Sequence, residues 1–245
     1  MIFKRPFVLV FALAVLVVAA ACGDGPTDDG DPEPIKPILV LGDDSTEDSV
    51  MTILEEAGVD AEFGGLYWEW DGSGLDDVSA VFFLTGYEYS ETVADSVQEA
   101  LVDFVSAGGG IMTTEWLLYE TGGGYYDMIV AMAPSLYDDD YDYYTETYTV
   151  AAPAHPIAQG LPASFATPDD AWSYSLTVAD PTPSKQATVV ITGSASGDAV
   201  VAGKYGLGRT VHWNMAGQYE GEDIWSTEVR QILVNIAKYI SGAAS

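Results

Sequence analysis

Short apolar runs that alternate with amphipathic helical stretches predict an α/β three-layer sandwich. Its sheet is mostly parallel with an antiparallel edge, and helices cover both faces. Three observations lead there. In the first half, the apolar runs Ile38–Leu41 and Val78–Leu84 are each followed by a segment of helical periodicity. Glycine-rich breaks separate the units. The second half is richer in strands and closes on one amphipathic helix.

Ile38-Leu39-Val40-Leu41, ending at Gly42, reads as a buried parallel strand. Asp44 or Ser45 can cap the following helix, with Glu47 or Asp48 three residues on. Val50, Ile53, Leu54 and Ala57 mark its apolar face, and Gly58 ends it. Ala61 to Trp70 is a second strand and Val78 to Leu84 a third. Ser90 is positioned to cap a helix with Val93, Val97, Leu101, Phe104 and Val105 on one stripe. Gly108-Gly109-Gly110 stops that helix, and Ile111 to Thr114 is the next strand. Later strands fall at Tyr148–Ala151, Trp172–Val178, Thr188–Ile191, Ala199–Gly203 and Arg209–Trp213. The final helix starts near Ser226 and buries Val229, Ile232, Leu233, Ile236 and Ile240.

Before this domain, assigned to residues 38–242, Lys4 and Arg5 precede an uncharged apolar run from Phe7 to Ala21. At 15 residues the run is shorter than the roughly 20 needed to span a bilayer. It has the form of a secretory signal, residues 1–21, ending in small residues. The chain's one cysteine, Cys22, follows directly, which resembles a bacterial lipoprotein signal. That resemblance implies lipidation of Cys22, a lipid anchor in the membrane and residence in the cell envelope. Gly23 stands where aspartate favours inner-membrane retention, which points to the outer membrane or cell surface. Residues 22–37, rich in Gly, Pro and Asp, read as a disordered acidic tether.

The chain carries 8 basic and 38 acidic residues, a net charge of −30. Removal of Lys4 and Arg5 with the signal makes it −32. Such a surface repels phosphate backbones, so nucleic acid is excluded as a partner and anionic substrates are disfavoured. Divalent cations, neutral ligands such as sugars and basic partners are compatible with it, as is adaptation to saline surroundings. With Cys22 lipidated, thiolate chemistry within the domain is ruled out.

Three segments together resemble one family. Asp77 to Leu84, the helix after it and Ala107-Gly108-Gly109-Gly110-Ile111 match the strand–helix–AGGG–strand passage of class I glutamine-amidotransferase-like domains, the ThuA-like (trehalose-utilisation) branch above all. His155-Pro156-Ile157-Ala158-Gln159-Gly160-Leu161-Pro162 is similar to that branch's HPI-x-x-GLP motif. Gly203-Lys204-Tyr205-Gly206-Leu207-Gly208-Arg209 is similar to its YGxGR segment. The resemblance covers Ile38 to Ser241 and implies a flavodoxin-like fold. It also exposes departures. Where amidotransferases carry a Gly-x-Cys-x-Gly elbow, this chain reads Thr113-Thr114-Glu115-Trp116-Leu117, so the thioester route to glutamine hydrolysis is missing. The branch's histidines at the elbow and after the last strand correspond to Glu115 and Gln218. His155 is the one titratable group matched to a motif.

In an open α/β sheet, ligands bind beyond the carboxyl ends of the strands. There the sequence places Asp43 and Asp44, Gly86 and Tyr87, Glu115 and Trp116, and Gln218 and Tyr219. Carboxylates beside aromatic rings suit a polyhydroxylated ligand, although Trp116 equally reads as core and Asp44 as a helix cap. His155 suits either a general acid or base, or a loop-holding hydrogen bond. His212, between Val211 and Trp213 on a strand, reads as structural. No zinc spacing or Gly-x-Ser-x-Gly elbow occurs. Asp138, Asp139, Asp140 and Asp142, in a tyrosine-rich run, could gather Ca²⁺, form a solvated acidic loop or belong to a tyrosine recognition surface. No other cofactor is expected. The leading expectation is a non-catalytic amidotransferase-like domain that binds a carbohydrate or an envelope protein. The alternatives are a sugar enzyme with Glu115 and His155 as acid/base pair, and Ca²⁺-dependent surface adhesion.

Overall fold

The structure, a computed structural model, describes residues 35–85, 91–143, 145–168, 173–216 and 225–243. Five strands form its parallel half: β1 (Ile38–Gly42), β2 (Ala61–Leu66), β3 (Ala80–Phe83), β4 (Gly110–Thr114) and β11 (Gly208–Trp213), in the order β2-β1-β3-β4-β11. Every neighbouring pair among them is parallel. From β11 the sheet continues antiparallel through β10 (Gly197–Tyr205), β9 (Thr188–Gly193), β6 (Thr147–Val150) and β7 (Ser164–Ala166). A side set, β5 (Ser135–Tyr143), β8 (Ser173–Ala179) and β12 (Met215–Ala216), joins through β8, which touches β10 at Thr177 and Gly197.

Strand alternation builds two cores. Ile38, Val40, Ala80, Phe82 and Met112 face the helices α1 (Glu47–Glu56) and α5 (Thr227–Ile240). Leu39, Leu41, Val81, Phe83 and Ile111 face α2 (Asp95–Ser106), α3 (Trp116–Glu120) and α4 (Asp127–Val130). Both faces of β1 and β3 are buried at every residue, which is why they read as continuous apolar runs rather than as alternation, whereas β2, at the edge, is partly exposed. The three-layer sandwich is therefore the one the pattern predicts.

Several local expectations change. The second strand stops at Leu66 instead of Trp70, because Tyr67 turns into the core and is fully buried. Neither Asp44 nor Ser45 caps α1 with its side chain: Thr46 holds the N-cap position, and Glu47 reaches back to accept the Ser45 N–H at 3.0 Å. Helix α2 begins at Asp95, with Ala94 at its N-cap position; Ser90 lies outside the described residues. Ser226 does cap α5, accepting the Val229 N–H at 3.3 Å. The acidic run containing Asp138, Asp139, Asp140 and Asp142 is not a loop but part of β5, paired with β8 across two register shifts. An extended backbone spreads Asp138 to Asp142 over roughly 13 Å, where a cation-binding loop would fold them together.

At the amino edge of the parallel strands three backbones meet. The turn between β10 and β11 sits on the turn between α2 and β4, with the Leu207 N–H donating to the Ser106 carbonyl at 3.0 Å. A Cβ on Gly208 would collide with the carbonyl oxygens of Val105 and Gly109, and one on Gly110 with that of Ile240 at the end of α5. Gly206, at φ +58°, would strike Ser106 in the same way. Arg209 secures the third element: its guanidinium donates to the Tyr239 carbonyl at 2.5 Å and lies 5.0 Å above the Tyr239 ring.

Gly208→Ala is expected to cost about 3 kcal/mol in urea unfolding, the upper end of overpacking penalties. Leu207→Ala, one residue away and 82% exposed, should stay within about 0.5 kcal/mol of the unmodified chain. Equal effects at the two positions would contradict the close-contact reading.

Candidate functional site

The strand order reverses between β1 and β3, the place where open α/β sheets generally bind ligands, beyond the carboxyl ends of the strands. Beside them, the junction between β4 and α3 is a single residue, Glu115, on a sharp strand-to-helix turn. Two threonines fasten that turn. The Thr85 N–H donates to Thr114 Oγ1 at 2.8 Å, and Thr114 Oγ1 donates to the Thr85 carbonyl at 3.2 Å. Thr85 Oγ1 donates to the Thr114 carbonyl at 3.1 Å and accepts the Leu117 N–H at 3.1 Å. The Trp116 N–H adds a bond to the Thr85 carbonyl at 3.3 Å. Glu115 is held where an elbow nucleophile would stand, yet it is wholly buried.

The sequence-predicted residues behave differently from one another. Asp43 is fully buried and accepts the Ser45 hydroxyl, whereas Asp44 is exposed and adopts a left-handed backbone at φ +65°. Trp116 is only 5% exposed, with its ring edge-on to Tyr119 at 4.9 Å, so it is core and offers no open face for a sugar ring. Tyr87, Gln218 and Tyr219, like Cys22 and tether residues 23–34, lie outside the described residues; the last tether residues, expected to be disordered, pack on the domain, where the carbonyls of Lys36 and Pro37 accept from Ser79.

His155 is far from Glu115. Its Nδ1 accepts the Ile157 N–H at 3.2 Å, closing a 3-10 turn over Pro156–Ala158, and its ring packs 4.8 Å from Tyr239. Asn235 on α5 holds the same turn by donating to the carbonyls of Ile157 and Gln159 at 2.9 and 2.8 Å. Burial lowers the His155 pKa, and the Arg209 charge lowers it further. Tyr239 is bound to Arg209 at the start of β11, while Glu115 follows Thr114, the register partner of Trp213 at the end of β11. Four strand steps, roughly 13 Å, separate those levels, beyond the roughly 3 Å contact that proton transfer requires. The expected Glu115–His155 acid/base pair is therefore not assembled. His212 is structural, as its pattern suggests: it is fully buried, with Nδ1 3.0 Å from Thr113 Oγ1, and burial pulls its pKa to about 3.

Sequence reasoning missed two buried polar groups at the same carboxyl edge. Glu120, on α3, is 5% exposed, and burial pushes its pKa to about 9, partly offset by the Tyr126 hydroxyl. It is neutral near pH 7. Tyr126 packs edge to face on Phe83, Tyr67 lies tilted against the same ring, and both tyrosine hydroxyls donate to the Glu91 carbonyl, at 3.3 and 2.7 Å. Tyr126 itself adopts φ +58°. Further along the edge, the Glu146 carboxylate accepts the N–H groups of Ala195 and Ser196, at 3.0 and 3.1 Å, and the Ser196 hydroxyl. Asn214, at the end of β11, joins this group by donating to the Ser196 carbonyl at 3.3 Å and accepting from the Tyr148 hydroxyl at 3.3 Å. No local pattern announces these contacts, because each joins residues about 20 or more positions apart in sequence or depends on burial. Among the described residues, no three His, Cys, Asp or Glu side chains converge as a metal site.

No protein-family model matches the sequence, and no curated protein matches it. Solved structures do match the fold. A cytoplasmic protein of Salmonella typhimurium superposes with a TM-score of 0.65 at 16% identity, covering 83% of this chain and 98% of that one. A protein of Parabacteroides merdae described as ThuA-like gives 0.63 at 15% identity, over 86% of this chain and 91% of that one. A Thermoplasma acidophilum protein described as part of a GMP synthase gives 0.56 at 13% identity, over 86% and 96%. The domain thus has the ThuA-like, class I amidotransferase-like form of the flavodoxin-like fold.

The two buried titratable groups should oppose each other in pH. Glu120, with its folded pKa raised, favours folding below its unfolded value of 4.5, and that stability is lost as pH rises through about 9. His212, with its folded pKa lowered, favours folding above 6.5, and that stability is lost as pH falls toward about 3. Glu120→Gln is expected to raise unfolding free energy by on the order of 2 kcal/mol at about pH 8 and by little at about pH 4.5. A gain independent of pH would show that Glu120 is charged in the folded chain.

Proposed function

We propose that the chain is a cell-envelope lipoprotein whose amidotransferase-like domain binds its ligand without transforming it. A neutral polyhydroxylated compound is the ligand class that fits best. One observation carries the non-catalytic part: the elbow position beyond β4 is filled by the wholly buried Glu115, and His155 caps a turn at the other end of the strands. A carboxylate without an accessible face and a histidine roughly 13 Å of strand away supply neither nucleophile nor proton relay. The charge of −30 disfavours anionic ligands. Two exposed side chains at the carboxyl edge suit hydroxyl-rich molecules: Asp44, an acceptor after β1, and Tyr125, 41% exposed, beside the packed Tyr126. Lipidation rests on Cys22 standing directly after the apolar run and its small residues.

A thermal-shift screen of the mature chain against neutral mono- and oligosaccharides tests the binding reading, since a ligand that prefers the folded state raises Tm by mass action. The expected outcome is a Tm rise with at least one sugar, reduced about tenfold in apparent affinity by Asp44→Asn or Tyr125→Ala, with the sugar recovered unchanged. Consumption of the sugar, or ammonia release from glutamine, would contradict a non-catalytic role. A sugar-induced shift that neither variant reduces would place the ligand elsewhere.

A further inference from the structure

The sheet ends at β2, and among the described residues no strand pairs with its outer side. The opposite end, β7, is three residues long, whereas β2 runs for six and carries neither proline nor lysine, two common guards of an open edge. Backbone donors and acceptors on that side are therefore open to an added strand. Phe63 stands there, 50% exposed. As the register partner of Val40 it lies on the α1 face of the sheet, as does Ala61, the partner of Ile38. Between α1 and the start of this strand runs a cleft of about 750 Å³, lined by the apolar Met51, Val59 and Ala61 and by the carboxylates of Asp48, Glu55 and Asp60. All three acids are exposed, and so is Glu62 on the strand itself. Among the described residues no lysine or arginine lines the cleft. Arg230 on α5 is engaged with Glu56 at 2.7 Å, and Lys36 turns toward β3, onto the Asp76 carbonyl.

We propose that the β2 edge docks an extended basic segment of another protein, which joins the sheet as a further strand. Side chains of such a strand alternate between the two faces. Those on the α1 face meet Phe63 and the acidic cleft, and those on the other meet Glu62. Lysine and arginine suit both, since their aliphatic stems cover apolar lining while the charged heads reach the carboxylates. Regular pairing is short, because the register of β2 shifts after Phe63. Charge therefore decides which strand is accepted. Two other occupants fail by that criterion. A second copy would set the same carboxylates against each other, and like charges facing across strands are destabilising. Residues 23–34 of this chain hold five carboxylates, three prolines and no cation, so they lack both the charge and a full set of donors. The proposal depends on neither the lipid anchor nor the carbohydrate reading.

The test uses the full chain, isotope-labelled and kept in a neutral detergent. The probe is a peptide of about eight residues that alternates lysine with valine. Its control is the same peptide with every backbone nitrogen methylated, which keeps the charge and removes the donors. The expected result is saturable binding, with NMR amide shifts and slowed exchange within Ala61–Leu66, and binding of the methylated control weaker by about tenfold or more. Glu55→Lys combined with Asp60→Lys should weaken the unmodified peptide about tenfold, because two exposed attractions become repulsions. Glu99→Lys, on the exposed side of α2 across the sheet, should leave its affinity unchanged. Equal binding of the methylated control would show attraction by charge alone and overturn the docked strand. Shifts confined to residues away from β2, or no binding at about millimolar peptide, would overturn the site. Dimerisation of the chain that protects the β2 amides would overturn the basic segment as the occupant.

Discussion

Three backbones can approach within contact at the amino edge only because Gly110, Gly206 and Gly208 have no Cβ there, and the rest of the domain is arranged around that approach. It brings β11 beside β4, turning the last strands of the chain into the fifth parallel member of a sheet begun by the first four. It also brings the end of α5 against the start of β4, which closes the core on that face. Arg209 then converts a steric fit into a directional one, because its guanidinium holds both the carbonyl and the ring of Tyr239. The 3-10 turn capped by His155 leans on the same tyrosine. The AGGG, HPI-x-x-GLP and YGxGR segments, separate in sequence, meet in one structural clasp.

That convergence changes what the resemblance means. Motifs that look like functional signatures secure the amino end of the sheet, opposite the Glu115 turn, and their residues serve backbone approach, capping and stacking. Chemistry at the carboxyl edge is set instead by burial. Glu115, Asp43 and Glu120 are acidic groups almost without solvent, and Glu120 answers by keeping its proton. Threonine bonds between Thr85 and Thr114 preserve the strand-to-helix turn that amidotransferase-like folds use to present a nucleophile, while the residue on the turn points to a packed, polar interior.

Much of the fold was legible in the sequence because buried parallel strands and amphipathic helices leave strong local patterns: β1, β3, β4, β11, α1, α2 and α5 all carry them. β5 was not legible, because four aspartates within Asp138–Asp142 have low strand propensity, and pairing with β8 supplies what local preference denies. Short elements such as α3 and α4 are fixed by tertiary contacts of Leu117, Leu118 and Ile129 with the core rather than by their own length. For the site, Glu115 at the turn was readable from its distance past the AGGG segment. The burial of Trp116 and the separation of His155 from Glu115 were not, since both follow from which edge of the sheet each loop reaches, and strand order is invisible in a linear pattern.

Native-state hydrogen exchange followed by NMR tests the clasp most directly. The amide of Leu207 donates to the Ser106 carbonyl across the contact, and beside it those of Gly109 and Gly110 donate to the carbonyls of Phe104, in the turn after α2, and of Ser79, before β3. If the clasp holds the sheet together, these amides exchange only through global unfolding, with the same free energy and denaturant dependence as the central amides of β3 and β4. Exchange at the clasp by local opening, while β3 and β4 stay protected, would contradict it and return the three motifs to consideration as a mobile, functional edge.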